Sequence, residues 1–389
     1  MAYPTTAFGV TKEKDPIGAM ELIRRELTPL DVLVKILYCG ICHSDKHHLD
    51  NDWDDSKYPM VPGHEIIGRV LAIGSDVTTL VIGDEVAIGN LTDSCKYCLR
   101  CDQGEEQYCL NDGPTWVYNG RERLAPNGGR FVKPEGDRTF GGYSGKIVAQ
   151  EKFVLKLPAG LDLAASAPLL CAGITVLYPL KRWQIGKGHK VGIAGIGGLG
   201  HLAVKFAKVF GAEVVALTTS QWKLGDAARL GADAAVLIDQ EFKDGLNALD
   251  KLKDEKPLTT AEQQALVGRR AELKYAGYFD FILCTIPVAH DPTPYLQMLS
   301  SGQSLLHVVG NMNEFPGLKG MKFVFGGKNI TSSNVGGIRD TKEMLGLCAL
   351  HGIQADISLV RPEEIDAAMV KVVDKEARYR YVIDLTNVE

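Results

Sequence analysis

The chain has 389 residues and a formal net charge of −5; that length suggests two domains with a core each, and that charge argues against nucleic-acid binding, which draws on a basic surplus. Its 45% hydrophobic and 23% charged content is ordinary for a globular protein, and no segment offers the roughly 20 uninterrupted apolar residues of a membrane span. Met1-Ala2-Tyr3-Pro4-Thr5 lacks the charged and apolar runs of a signal peptide, so a cytoplasmic location is expected, where the nine cysteines read as metal ligands or core thiols rather than disulfides.

The first third is rich in glycine, proline and β-branched residues. Short alternating stretches with turn signals between them, such as residues 31–36, predict a small all-β domain. Within it stand Cys95, Cys98, Cys101 and Cys109. Four thiols at this spacing converge on one tetrahedral Zn²⁺, which takes sulfur at about 2.3 Å. Four protein sulfurs leave no position for substrate, so this metal is structural. A disulfide pair would need an oxidising compartment, and the common bacterial iron–sulfur run has shorter spacing and a Cys-Pro ending.

Near Lys190 the pattern changes. Val191-Gly192-Ile193-Ala194 reads as a strand running into Gly195-Ile196-Gly197-Gly198-Leu199-Gly200, followed by a helix over 202–210, a C-terminal Gly211 and a second strand over 214–217. Gly195 permits the tight turn, Gly197 lets the backbone approach a pyrophosphate, and Gly200 lets the helix pack on the strand. The helix N-terminus supplies amide donors for the phosphates. An acidic residue at the end of the second strand would bind the ribose 2′-hydroxyl of NAD. Here the chain reads Thr218-Thr219-Ser220-Gln221-Trp222-Lys223. Without a carboxylate a 2′-phosphate meets no repulsion, and Thr219, Ser220 and Lys223 offer it bonds, which favours NADP(H). Thr219 and Ser220 also suit a cap on the following helix.

The segment about 240–275 crowds charges, with Leu246, Leu249 and Leu252 at three-residue steps and a second helix after Pro257. It reads as a solvated helical excursion. Strand-like runs at 279–284 and 304–309 continue a parallel sheet. The alternating run 377–384 reads as a strand returning to the first domain, so that the nucleotide-binding domain is inserted into a discontinuous β-rich one. The expected boundaries are 1–153 with 311–389, and 154–310.

A catalytic zinc needs three protein ligands and one open position, and two cysteines with a histidine are a known set. Cys42, His64 and Cys171 are candidates, but they are too scattered for spacing to join them. Taken singly, each reads equally as a core thiol or a satisfied histidine.

Gly40-Ile41-Cys42-His43-Ser44-Asp45, the run from Tyr58 to Glu65, the four-cysteine lobe, Leu170-Cys171-Ala172-Gly173 and the glycine-rich turn together resemble the zinc-dependent medium-chain alcohol dehydrogenases. Gly141-Gly142-Tyr143-Ser144 and the run from Arg378 to Val382 bring the chain nearest to the cinnamyl-alcohol-dehydrogenase-like branch, with its bacterial broad-specificity aldehyde reductases. The resemblance implies an α/β protein: a GroES-like β-rich catalytic domain holding both zincs, and a Rossmann domain with a doubly wound parallel sheet. It assigns Cys42, His64 and Cys171 to the catalytic zinc, with Glu65 as a neighbouring carboxylate that approaches the metal during ligand exchange and Asp45 as the group that orients His64. It implies a proton relay from Ser44 through the cofactor ribose to His47, a pyrophosphate contact for His43, and an apolar substrate pocket of Trp53, Met60 and Trp116 for aromatic or medium-chain aldehydes. It also implies a homodimer joined through the Rossmann sheet. The polar stretch 119–138 and the segment 240–275 depart from the family pattern. Other functions weighed are an NAD-dependent polyol or short-chain alcohol dehydrogenase, a non-catalytic NADP-binding zinc protein, and a reductase of conjugated double bonds.

Overall fold

In the computed structural model, which describes residues 2–123, 136–310, 326–374 and 376–389, the chain divides into two compact units, Met1–Ile174 with Val335–Glu389, and Thr175–Asn334. The first is built around the long strand Asp31–Ile41, whose valines, leucines and isoleucines are almost all buried. Ile66–Ile73, Lys146–Gln150 and Arg380–Asp384 pair with it antiparallel. A strand flanked on both edges and covered on both faces needs such a continuous apolar run. Val34, Ile36, Ile66, Val86, Ile147 and Ile383 fill the core beneath this sheet. The pairing of Tyr381 with Ile41 and Asp384 with Tyr38 is the expected return of the C-terminal strand.

The second unit is a six-stranded parallel sheet. In spatial order its strands are Ala234–Leu237, Glu213–Thr218, Lys190–Ala194, Phe281–Cys284, Leu305–Val308 and Asn329–Ser332. Numbered along the chain from Lys190, that is 3-2-1-4-5-6, the doubly wound Rossmann order. The order reverses between Lys190–Ala194 and Phe281–Cys284, the crevice at which such sheets bind dinucleotides. The inner strands are buried along almost their whole length.

Two expectations shift. The units part after Ile174 and Asn334 rather than after 153 and 310. Leu155–Lys156 hydrogen-bonds to Glu85–Ile88 of the β-rich sheet, and Asn329–Ser332 extends the parallel sheet, so backbone pairing carries both edges further along the chain. The charged segment forms helices Gln240–Lys253 and Thr260–Gly268, and it is not simply solvated. Phe242, Leu246, Leu273 and Tyr275 join the core cluster of Val215 and Ile282. The helical period of 3.6 makes Phe242, Leu246 and Leu249 one stripe and carries Leu252, 52% exposed, off it. Asp239 caps the first helix by accepting from Phe242 N at 2.9 Å and also holds Arg269 at 2.6 Å. Of the polar stretch 119–138, residues 124–135 lie outside the described residues.

Because Phe242 is wholly buried, Phe242→Ala is expected to cost about 3–5 kcal/mol, read as a lower urea midpoint. An excursion that merely decorated the surface would lose far less.

Candidate active site

Strand Asp31–Ile41 leads into Cys42, the N-cap of helix His43–Leu49. The third helical residue, Asp45, turns its carboxylate back and accepts from Cys42 N at 3.0 Å. Asp45 is fully buried and serves three further donors. Its Oδ1 accepts from Gly63 N at 3.2 Å and from the His64 Nδ1 at 3.0 Å, and its Oδ2 accepts from the Tyr143 hydroxyl at 3.0 Å. With Nδ1 donating to a carboxylate, the neutral imidazole has its free lone pair on Nε2. That Nε2 is buried and, among the described residues, has no hydrogen-bond partner.

Cys171 lies between the turn Ala167–Leu170 and helix Ala172–Arg182, and its Sγ is 3.9 Å from that of Cys42. One ligand atom each from Cys42, His64, Glu65 and Cys171 falls within 4.8 Å of the others, and all four residues are buried. Two sulfurs and an imidazole nitrogen are a donor set that suits zinc with an open position, and the unpartnered Nε2 is what such a metal would satisfy. Burial pulls the His64 imidazole down, but Asp45 and the Cys42 thiol outweigh it and hold its pKa well above the ordinary value. Burial pushes the Glu65 carboxyl up to about 7 against the pull of Arg380, whose guanidinium hydrogen-bonds Glu65 Oε1. Among the described residues, Glu65 Oε2 has no hydrogen-bond partner.

Ser44 Oγ is 3.7 Å from Cys42 Sγ. His43 and His47, one helical turn apart, stack with centroids 4.6 Å apart. His47 Nδ1 meets Asp52 Oδ2 at 2.7 Å, while its Nε2 is buried and, among the described residues, without a hydrogen-bond partner. Trp53 packs on the rings of His47 and His48 at 5.0 and 4.6 Å. Trp116 is half-buried in strand Thr115–Trp116. Met60, 2% exposed, belongs to the apolar core of the β-rich unit and pairs through its backbone with Val10.

The second cluster is Cys95, Cys98, Cys101 and Cys109, whose sulfurs also fall within 4.8 Å of one another. Backbone amides point at them: Cys98 N reaches Cys95 Sγ and Leu110 N reaches Cys98 Sγ, each at 3.4 Å. Burial raises the Cys95 thiol, yet amides of Tyr97 and Cys98 hold it down at about 6, so it is ready to ligate as thiolate.

In the parallel-sheet unit, Gly195 has φ +89 and donates from N to Leu217 O at 2.9 Å. A side chain on Gly200 would strike Gly195 O, whereas nothing lies within 4 Å of one on Gly197. The turn is thus closed behind and open in front. Leu199, preceded by Gly198, is the N-cap of helix Gly200–Val209 and supplies no side-chain cap; His201 N donates to Gly197 O at 3.1 Å, and a helix N-terminus of this kind favours an anion. At the end of strand Glu213–Thr218, Ser220 N donates to Thr218 Oγ1 at 3.1 Å. Lys223 opens helix Lys223–Arg229, its ammonium 5.0 Å from the Trp222 ring centroid. The N-cap there is Trp222, so neither Thr219 nor Ser220 caps this helix by its side chain.

Residues 28–159 match the alcohol dehydrogenase GroES-like domain and residues 198–349 the zinc-binding dehydrogenase domain. The chain belongs to the zinc-dependent medium-chain alcohol dehydrogenases, in their cinnamyl-alcohol-dehydrogenase branch. It is 39% identical to the aldehyde reductase YahK of Escherichia coli over 97% of both chains. It is 38% identical to the NADP-dependent alcohol dehydrogenase C 1 of Mycolicibacterium smegmatis, again over 97% of each. It superposes with a TM-score of 0.83 on the cinnamyl alcohol dehydrogenase of Helicobacter pylori solved with NADP(H), at 32% identity, covering 100% of this chain and 99% of that one.

Three groups around the first cluster escape a reading of the residues alone. Tyr143 and Arg380 stand inside runs that carry the family resemblance, but nothing in those runs tells that one meets Asp45 and the other Glu65. Tyr118, whose ring lies 5.9 Å from that of His64, has no signal at all.

Tyr143→Phe removes one of four donors to Asp45 without disturbing volume. Zinc held through His64 is expected to dissociate about tenfold faster, as read by chelator capture, with little change in melting temperature.

Proposed function

We propose that this chain is an NADP(H)-dependent zinc alcohol dehydrogenase that interconverts aromatic or medium-chain aldehydes and their primary alcohols. The observation that carries the reading is the convergence of Cys42, His64 and Cys171, with the buried, unpartnered His64 Nε2 facing two sulfurs. These three would hold a catalytic zinc, and Cys95, Cys98, Cys101 and Cys109 a structural one. The catalytic domain is then the β-rich unit that contains both clusters, and the parallel-sheet unit binds the dinucleotide.

Zinc supplies Lewis-acid polarisation of the carbonyl oxygen and the reduced nicotinamide supplies the hydride. The chain's own residues orient and move protons. Asp45 fixes the His64 tautomer so that Nε2 points to the metal position. The Ser44 hydroxyl, beside Cys42, is placed to donate a proton to the product oxygen. His47, oriented by the solvent-exposed Asp52, exchanges protons with water. His43 contacts the pyrophosphate, the turn from Gly195 to Gly200 cradles it, and Thr219, Ser220 and Lys223 take the 2′-phosphate. Trp53 and Trp116 offer apolar walls to the substrate; Met60 supports them from within the core.

Two chains are expected to pair through strand Asn329–Ser332, which ends the parallel sheet among the described residues. A cytoplasmic location fits nine free thiols, eight of them buried. Among the described residues, no single helix is long and apolar enough to cross a membrane.

The deciding experiment joins zinc analysis to oxidation of NADPH and NADH with benzaldehyde, cinnamaldehyde and hexanal. About two zincs per chain and faster turnover with NADPH are expected. Turnover on none of these aldehydes would overturn the reading. Lys223→Ala is expected to raise KM for NADPH about tenfold, one charge-assisted contact, and to leave that for NADH nearly unchanged. Ligation requires deprotonated thiols and a neutral imidazole, and His64 is held well above its ordinary pKa. Zinc affinity should therefore fall as pH falls, and titrating zinc into the stripped protein should release protons in an unbuffered cell.

A further inference from the structure

The four-cysteine lobe does more than close on its own metal. Between its third and fourth cysteines lies the turn Glu106–Tyr108. Glu106 is a carboxylate only 2% exposed, and it does not face the sulfurs. Its Oε2 accepts from Ile338 N at 3.0 Å, and its Oε1 pairs with Lys152 at 3.0 Å. Ile338 begins the helix Ile338–His351, fourteen residues long, whose N-cap, Gly337, has no side chain to offer. Glu106 therefore supplies from across the unit the anionic cap that the helix lacks. The approach is tight: a Cβ on Gly337 would strike Gly104 O and lie 2.7 Å from Glu106 Oε2.

Two turns along, the same helix buries Met344 completely. Its sulfur is 2.9 Å from where a Cβ on Gly173 would stand, so the helix closes directly over the backbone two residues after Cys171. The lobe has a second strut. Asn90 Nδ2 donates to Leu170 O, the residue before Cys171, at 3.2 Å, and strand Leu91–Asp93 continues from Asn90 towards Cys95. Cys171 itself belongs to neither a strand nor a regular helix, with φ −123 and ψ −70. Its own amide donates to Pro168 O at 3.4 Å, and the supports at residues 170 and 173 both run back to the lobe.

We propose that the four-cysteine lobe positions Cys171, with Glu106 and Asn90 as the positioning residues, so that zinc retention at the Cys42–His64–Cys171 cluster depends on the lobe. The coupling rests on the reading of Cys171 as a zinc ligand and goes beyond it, because it makes two metal sites that share no ligand interdependent. The Glu106 carbonyl accepts from Cys109 N at 3.0 Å, but its carboxylate is turned to Ile338 N and Lys152, and the Asn90 amide to Leu170 O.

The test follows zinc release from the holoprotein to a chromogenic chelator. The phase that disappears in Cys171→Ser, along with one of two zincs, belongs to the Cys171 cluster. In Glu106→Ala that phase is expected to accelerate about tenfold or more, while the four-cysteine phase keeps its rate. Glu106→Gln, which retains an acceptor for Ile338 N, should restore most of the retention. If Glu106→Ala does not fold, Asn90→Ala must show the same selective acceleration. An unchanged Cys171 phase in the folded variant, with only a lower melting temperature, overturns the proposal and leaves Glu106 a helix cap. If Cys171→Ser keeps both zincs, the ligand assignment beneath the proposal fails instead.

Discussion

The buried carboxylate of Asp45 is the constraint on which the candidate catalytic centre depends. It gathers the amide before helix His43–Leu49, the amide before His64, the His64 ring and the Tyr143 hydroxyl on two oxygens. An ionised group this deep would be costly unpaired. Four donors offset that cost, and meeting them fixes three separate stretches of chain relative to one another. The segment that carries Tyr143 is itself zipped to the one before His64, Gly142 N to Gly63 O at 2.8 Å and Tyr143 N to Pro62 O at 3.0 Å. Arg24 clamps its far side through Gly141 O and Ser144 Oγ, each at 2.8 Å. The histidine is thus oriented by a network with little freedom to relax, which is what keeping its Nε2 aimed at a metal requires.

In the parallel-sheet unit the same end is reached without charge. Steric exclusion behind Gly200, and space before Gly197, make a turn that is closed on one side and open on the other. Thr285, at the end of the adjacent strand, donates to Gly195 O at 2.8 Å and to Ala194 O at 3.1 Å. The carbonyls of the turn are thereby held, and the preference of a helix N-terminus for phosphate follows from backbone geometry.

How far these sites could be read from the residues tracks sequence distance. The strand, glycine turn and helix from Lys190 to Val209 are contiguous, and their local signals agree with the sheet that forms. The four cysteines lie within one short loop, where spacing alone limits the geometry. Cys42 and His64 are brought together by the pairing of strands Asp31–Ile41 and Ile66–Ile73, and Cys171 by the packing of the turn before it; no period or spacing encodes either, so the family resemblance was needed to join them. Tyr143 and Arg380 were legible as motif residues and illegible as partners, because the partner is set by strand register. Met60 is a different case: an apolar residue in a family motif reads as a pocket wall, and it sits in the apolar core of the β-rich unit. The charged segment misled in part because its count of lysines and aspartates hides the stripe of Phe242, Leu246 and Leu249.

Arg380 shows why the chain must return to its first domain. Strand Arg380–Asp384 places one buried guanidinium against Glu65, within the electrostatic reach of the Cys42 and Cys171 sulfurs. Thiolates at Cys42 and Cys171, with the carboxylates of Glu65 and Asp45, would leave the pocket heavily anionic even with a divalent cation in it. Arg380 favours the charged form at both cysteines and at Glu65. It thereby lowers the electrostatic cost of assembling the ligands before any metal arrives. A buried pair like this contributes little net stability by itself, since desolvation consumes most of the attraction. Losing one partner, however, strands the other charge in the core. The last strand therefore does chemical as well as structural duty: closing the sheet and balancing the charge of the metal pocket are one folding event.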